Sequence, residues 1–231
     1  MSKSFDSDEY LRKVTEALAK EADSENAKEM KRYMKDNFEF FGVDATLRRE
    51  VTRGFMQRKE RPPYDALEGI AKKLWDFPER EYQYFGMELL VKYKNEFDEN
   101  IIDLFEYIII NKSWWDTVDE ISKKLVGNYF IRFPDNRDKS IEKWAESGNI
   151  WLQRNTLLFQ LRYKENTDVK LLFSLIERLK DIDEFFIQKA IGWALREYSK
   201  IDPEVIEGFV DGHELSPLSY REAMKIIKKG K

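Results

Sequence analysis

Three tyrosines near the ends of helix-like segments are set at multiples of one interval. Tyr93 follows Leu89-Leu90-Val91-Lys92, Tyr163 follows Gln160-Leu161-Arg162, and Tyr198 follows Leu195-Arg196-Glu197. Tyr198 lies 35 positions after Tyr163, and Tyr163 lies 70 positions after Tyr93. Tyr129 falls near the missing middle unit. A period in this range with two helices per unit predicts an α-solenoid, because each helix pair can bury its apolar face only against the next pair. Such a stack leaves one long concave face. The units resemble one another weakly, so a compact, irregular all-helical bundle stays open as the alternative.

The local pattern agrees with helices throughout. Apolar residues recur at three- and four-residue spacing over Glu81–Lys94, Ile101–Ile110, Ile150–Tyr163, Val169–Leu179 and Phe185–Tyr198. No period-two strand and no Asn-Gly or Asp-Gly hairpin is found between alternating runs. Breaks fall at Gly42, Pro62-Pro63, Pro78, Pro134, Gly148, Pro203 and Pro217. None resembles an interdomain linker. The expected organisation is a frayed terminus over residues 1–7 followed by a single helical-repeat domain over 8–231.

Within this frame the stretch Ser113-Trp114-Trp115-Asp116-Thr117-Val118-Asp119 stands out. Ser113 and Asp116 read as a capping box, which starts a helix near Trp114. Trp115 and Asp119 are then one turn apart on one face. An indole beside a carboxylate suits a cationic ligand, with a π face and a counter-charge together. The plainer alternative is a core tryptophan and a solvated aspartate.

One repeat beyond Asp119 stands Arg154, and one repeat beyond that stands Lys189. Trp193 is one turn past Lys189. The repeat therefore aligns two indoles, one carboxylate and two cations on a single stripe. Arg154 is flanked by Trp151, Leu152, Leu157 and Leu158. An arginine in such company has a specific partner, either a phosphate or a carboxylate such as Asp119.

Composition closes off several chemistries. The chain has no cysteine, so it has no disulfides or thiolate-bound metals, and its one histidine, His213, removes most His-based catalysis and the common zinc sites. No metal or cofactor is expected. No apolar run approaches the roughly 18 residues of a membrane span, and Met1–Asp8 has no signal-peptide pattern. A cytoplasmic monomer acting at the nucleoid is expected. The net charge of −4 argues mildly against nucleic-acid binding by the whole surface, though a basic stripe on one face suffices.

The chain resembles the AlkD-type DNA alkylation repair glycosylases. The resemblance rests on Ser113–Asp119, on Asn149-Ile150-Trp151-Leu152-Gln153-Arg154, and on Phe185-Phe186-Ile187-Gln188-Lys189-Ala190-Ile191-Gly192-Trp193. Arg32–Lys35, Leu74–Glu81 and Leu215–Ala223 fit as well, so it runs from about Met30 to the C-terminus. It implies a HEAT-like helical-repeat fold that holds duplex DNA on its concave face, and excision of cationic N3- and N7-alkylated purines such as 3-methyladenine and 7-methylguanine. By the same resemblance Asp119 is the catalytic carboxylate and Trp115 and Trp193 line the lesion site. Arg154 stands beside them, and Tyr33 is the aromatic of the N-terminal helix. Arg154 and Lys189 are expected to bind DNA phosphates. Arg48, Arg49, Lys164, Lys225, Lys228, Lys229 and Lys231 are further basic candidates, or simply solvated surface. The acidic balance departs from that of a typical DNA-binding protein. Two other functions fit the same scaffold: a non-catalytic binder of damaged or branched DNA, which has no need of Asp119, and a protein-interaction solenoid.

Overall fold

The computed structural model describes residues 5–230, and among them the chain is an all-α helical-repeat protein. The one β feature among these residues is an isolated bridge between Glu39 and Glu79. The chain falls into two compact units, Met1–Asp98 and Glu99–Lys231. The first contains α1 (Ser7–Ala19), α2 (Ser24–Tyr33), α3 (Ala45–Thr52), α4 (Tyr64–Asp76) and α5 (Arg80–Val91). The second contains α6 (Ile101–Ile110), α7 (Trp115–Ile121), α8 (Gly127–Arg132), α9 (Arg137–Glu146), α10 (Ile150–Leu158), α11 (Val169–Leu179), α12 (Phe185–Tyr198), α13 (Pro203–Gly212), α14 (Pro217–Ala223) and α15 (Ile227–Gly230).

Of the terminus expected to fray, residues 1–4 lie outside the described residues, as do Lys231 and the side chain of Lys229. Phe5 rests against Tyr10 with ring centroids 5.6 Å apart, and Asp6 caps α1 by accepting from the Glu9 N–H at 2.9 Å.

Helix starts follow the cap chemistry of the breaks. Asp23, Asp44, Asn149, Asp168, Asp202 and Ser216 each accept backbone N–H bonds in the first turn of the helix they precede. Pro203 and Pro217 then occupy the first helical position, where the missing N–H is no loss. The amphipathic stripes match the sequence reading. On α6 the buried residues are Ile101, Leu104, Phe105, Ile108 and Ile109, and on α11 they are Leu172, Leu175, Ile176 and Leu179.

Three of the four tyrosines in the series, Tyr93, Tyr129 and Tyr163, share one contact. The Tyr129 hydroxyl donates to the Glu99 carbonyl at 2.8 Å, and the Tyr163 hydroxyl donates to the Gly127 carbonyl at 2.6 Å. In the first unit Tyr93 donates in the same way to the Pro62 carbonyl. Each ring closes one helical unit and ties it to backbone about one unit earlier, 31, 30 and 36 residues back for Tyr93, Tyr129 and Tyr163.

In the second unit α10 is the hub, packed against α6, α7, α9, α11 and α12. It is enclosed on nearly all sides, so even its polar residues Gln153, Arg154, Asn155 and Thr156 are buried. Its periodicity extends to Tyr163, but the helix ends at Leu158. Gln160 then exchanges hydrogen bonds with the backbone of Asp168, which holds the return loop. Close approaches fix the neighbours. A Cβ at Gly127 would lie 2.5 Å from the Phe159 carbonyl, so α8 meets the end of α10 only because residue 127 is glycine.

Candidate active site

The helix carrying Asp119 starts differently from the sequence expectation. The N-cap of α7 is Trp114, in extended conformation, and no side chain caps it. Ser113 lies one residue too early, and its hydroxyl donates to the Ile109 carbonyl at 2.6 Å. The capping box therefore does not form. Ser113 closes the end of α6 instead, and Lys112 at φ 46° turns the chain between the helices. Trp115 and Asp119 still lie one turn apart on α7. Beyond Ile121 the helix continues through a π-helical turn, Ser122–Val126, into α8. Such turns often mark functional positions, because the widened ladder re-aims side chains.

Asp119 is buried, with 7% of its surface exposed, and Arg154 is buried to 4%. Arg154 Nε donates to Asp119 Oδ1 at 2.7 Å and Nη2 donates to Oδ2 at 2.9 Å, a two-pronged fork. The third arm, Nη1, donates to the Phe186 carbonyl at the start of α12. One guanidinium thus joins α10 to both α7 and α12. Of the two partners expected for Arg154, it has the carboxylate here, through two of its five N–H groups, and a third goes to a backbone carbonyl. An unpaired arginine inside the enclosed α10 would carry a large desolvation cost, which the fork offsets.

Burial pushes the Asp119 carboxyl above the ordinary aspartate range. Hydrogen bonds and charge from Arg154, and the charge of Lys123, pull it back without cancelling that effect, while Asp116 pushes it slightly further up. Arg154 uses two of the roughly four lone-pair positions of a carboxylate, so acceptor capacity remains.

Around this pair lies an aromatic group that the sequence reading did not assign. Trp114, Trp151 and Phe186 meet at 5.8 Å (Trp114–Trp151), 5.1 Å (Trp114–Phe186) and 4.9 Å (Trp151–Phe186) between centroids. The Arg154 guanidinium carbon is 5.9 Å from the Phe186 ring. This packing fixes the start of α12, and with it the carbonyl that receives Arg154. The Trp114 Nε1 is buried there without a hydrogen-bond partner. Trp115 and Trp193 are half-buried. Lys123, also unassigned from sequence, places its ammonium 5.4 Å from the Trp193 ring centroid and pairs with Glu120. Its spacing of four residues from Asp119 was the signal available in the sequence.

The remaining candidates are more dispersed. Lys189 pairs with Glu222 of α14 at 3.0 Å, and the same carboxylate accepts Arg196. Tyr33 ends α2 in the other unit and is 68% exposed, so it is not a core residue. Arg48 is buried and bonded to Glu88 at 2.9 Å, which removes it from the exposed basic surface, and Arg49 meets the same carboxylate at 2.8 Å. Among the described residues no group of three His, Asp or Glu side chains could hold a metal, and no helix is long and apolar enough to cross a membrane.

Comparisons with known proteins bear on this site. A family model described as DNA alkylation repair enzyme matches residues 14–227. Among solved structures, a predicted DNA alkylation repair enzyme from Enterococcus faecalis is 32% identical, with a TM-score of 0.84 over 90% of this chain and 97% of that one. No curated protein matches.

Proposed function

We propose that this chain, which belongs to the family of DNA alkylation repair enzymes, is a monofunctional glycosylase that excises cationic N3- and N7-alkylated purines from duplex DNA. The observation that carries the reading is the Asp119 carboxylate. It is buried, it is held at both oxygens by Arg154, and it stands one turn from Trp115. A structural ion pair has no need of half-buried indoles beside it, and a binding-only site has no need of a buried carboxylate.

The chemistry needs such a group. Alkylation at N3 or N7 makes the purine cationic, so cleavage of the C1′–N9 bond lets it leave neutral, without strong acid assistance. The electron deficit passes to the sugar, which develops oxocarbenium character, as in glycoside hydrolysis. A carboxylate near C1′ stabilises that charge and positions the water that adds there, leaving an abasic sugar. Trp115 and Trp193 offer π faces to the cationic base and the developing sugar charge, each contributing about 0.5–2 kcal/mol. Arg154 acts as a positioning residue, holding Asp119 ionised and aimed. Lys189 is assigned to a backbone phosphate near the lesion, and Tyr33 to the sugar or backbone.

The test is release of methylated base from methylated duplex DNA, with unmodified duplex as control. Release from the first alone is expected. Binding of both duplexes without base release would reduce the protein to a DNA-binding module.

A further inference from the structure

α2 buries none of its own residues, yet it carries Tyr33 at its last position. A short helix without an apolar face in the core is placed by whatever holds its ends. Both ends of α2 are tied to the connection between α2 and α3, residues 38–43. At the start, the Asp23 N–H donates to the Phe41 carbonyl at 2.9 Å, and Asn26 Nδ2 donates to the Gly42 carbonyl at 2.6 Å. Toward the end, Lys31 pairs with Glu39. Gly42, at φ 87°, lets the two segments touch, since a Cβ there would lie 2.0 Å from the Asp23 carbonyl.

The connection is in turn fastened to the first turn of α5. Glu81 is fully buried, and its carboxyl accepts from the successive N–H groups of Phe41 at 3.2 Å, Gly42 at 3.0 Å and Val43 at 3.1 Å. Among the described residues no basic side chain pairs with it. A buried carboxyl is costly unless it is hydrogen-bonded, and three of these bonds come from one connection. Beside it the Arg80 N–H donates to the Glu39 carbonyl at 2.8 Å, and the Arg80 guanidinium carbon lies 3.8 Å from the centroid of the Phe38 ring.

We infer that Glu81 is a positioning residue for duplex binding: through residues 38–43 it seats α2, and with it Tyr33, for contact with the DNA backbone. This rests on the reading that Tyr33 meets the duplex. Glu81 itself touches no DNA. Tyr33 is 68% exposed, so the seat of its helix, and not burial of its ring, sets where the phenol stands. An unseated α2 would spread the phenol over many positions, and narrowing them on binding costs affinity.

The experiment measures affinity for unmodified duplex at one low salt concentration for wild type, Tyr33→Ala, Glu81→Gln and the double variant. Phe38→Leu, alone and with Tyr33→Ala, loosens the same connection from the Arg80 side and leaves the buried carboxyl in place. Hydrogen exchange of the α2 amides is followed alongside. Tyr33→Ala should weaken binding about fivefold, the size of one aromatic contact. Glu81→Gln turns an N–H₂ toward N–H donors, so α2 should exchange faster and affinity should fall by a large part of that factor. In the Tyr33→Ala background neither Glu81→Gln nor Phe38→Leu should weaken binding further. A merely structural glutamate would lower affinity by the same factor with or without the tyrosine. If both variants bind like wild type, or weaken binding equally in the two backgrounds, the inference falls while Tyr33 keeps its role. If Tyr33→Ala binds as tightly as wild type, the Tyr33 reading falls and takes the inference with it. If Glu81→Gln does not fold, the Phe38→Leu pair decides by the same criteria.

Discussion

Asp119→Asn replaces one carboxylate oxygen with an amide nitrogen and separates two contributions, one that follows from the proposed reaction and one from the packing. The first is catalytic. Removing a preorganised charge that stabilises a cation near the transition state costs about 10²–10³ in rate. Asp119 is forked by Arg154, so part of its charge is already answered, and the lower end, about 10²-fold, is the expected loss. It should appear in the single-turnover rate and not in duplex affinity, because the sugar cation exists only near the transition state. The second contribution is stability. Asp119 and Arg154 side chains are 10% and 5% exposed, so solvent screens the pair little. Asn offers one acceptor oxygen and turns an N–H₂ toward a guanidinium that also donates. Breaking a buried pair at one partner costs about 3–5 kcal/mol, and the surviving amide oxygen and Phe186 carbonyl place the expected cost nearer 2–3 kcal/mol. Domains have about 5–15 kcal/mol in hand, so the variant folds. Denaturant unfolding and 7-methylguanine release under enzyme excess measure the two effects separately. The double variant Asp119→Asn/Arg154→Met should recover part of the stability and none of the rate. Wild-type release by Asp119→Asn would remove Asp119 from the chemistry.

The pH profile follows from the same burial. The Asp119 pKa is raised, and the proposed reaction uses the carboxylate form, so the release rate should fall with acidity through a value above the ordinary aspartate value of about 3.9. Arg154→Met removes the larger opposing cause and should move that limb further up. The stability sign is opposite: the folded state holds this proton more tightly, so Asp119's contribution is full below the unfolded pKa and declines as pH rises through the raised one. Trp193→Leu keeps apolar bulk without the π face, so excision should drop while the melting temperature and binding to unmodified duplex hold; a variant that unfolds would instead make Trp193 a packing residue. Duplex affinity should fall steeply with salt, and Lys189→Glu should weaken lesion and normal duplex alike and lower the salt slope by about one; an affinity indifferent to salt would argue against Lys189 as a phosphate contact. Gly192→Ala should destabilise by about 1–3 kcal/mol in denaturant, because its Cβ would meet Glu222 Cβ at 2.5 Å and the Ser219 carbonyl at 2.8 Å; an unchanged midpoint would mean that α14 withdraws from α12 freely.

The amino-acid sequence by itself determined the helices, their period and one edge of the site. Apolar spacing is a property of neighbouring residues, so α6, α11 and α12 occupy the same spans that the pattern delimits. The tyrosine interval also reads locally, although its cause, a hydroxyl bonded to the backbone of an earlier unit, does not. Trp115 and Asp119 share a face because a helix places residues four apart together, whatever surrounds it. The tertiary structure decided what each polar group does. Ser113 matched a capping box, yet Ile109 offered its hydroxyl a carbonyl and the cap went unmade. Arg154 suited a phosphate or a carboxylate equally well by type. Enclosure of α10 demands near and fixed partners for a buried guanidinium, and stacking of α7 and α12 against α10 brings Asp119 and the Phe186 carbonyl to it. The raised Asp119 pKa and the position of Lys123 over Trp193 have the same origin. Desolvation and long-range pairing depend on which surfaces meet, and no spacing along the chain records that.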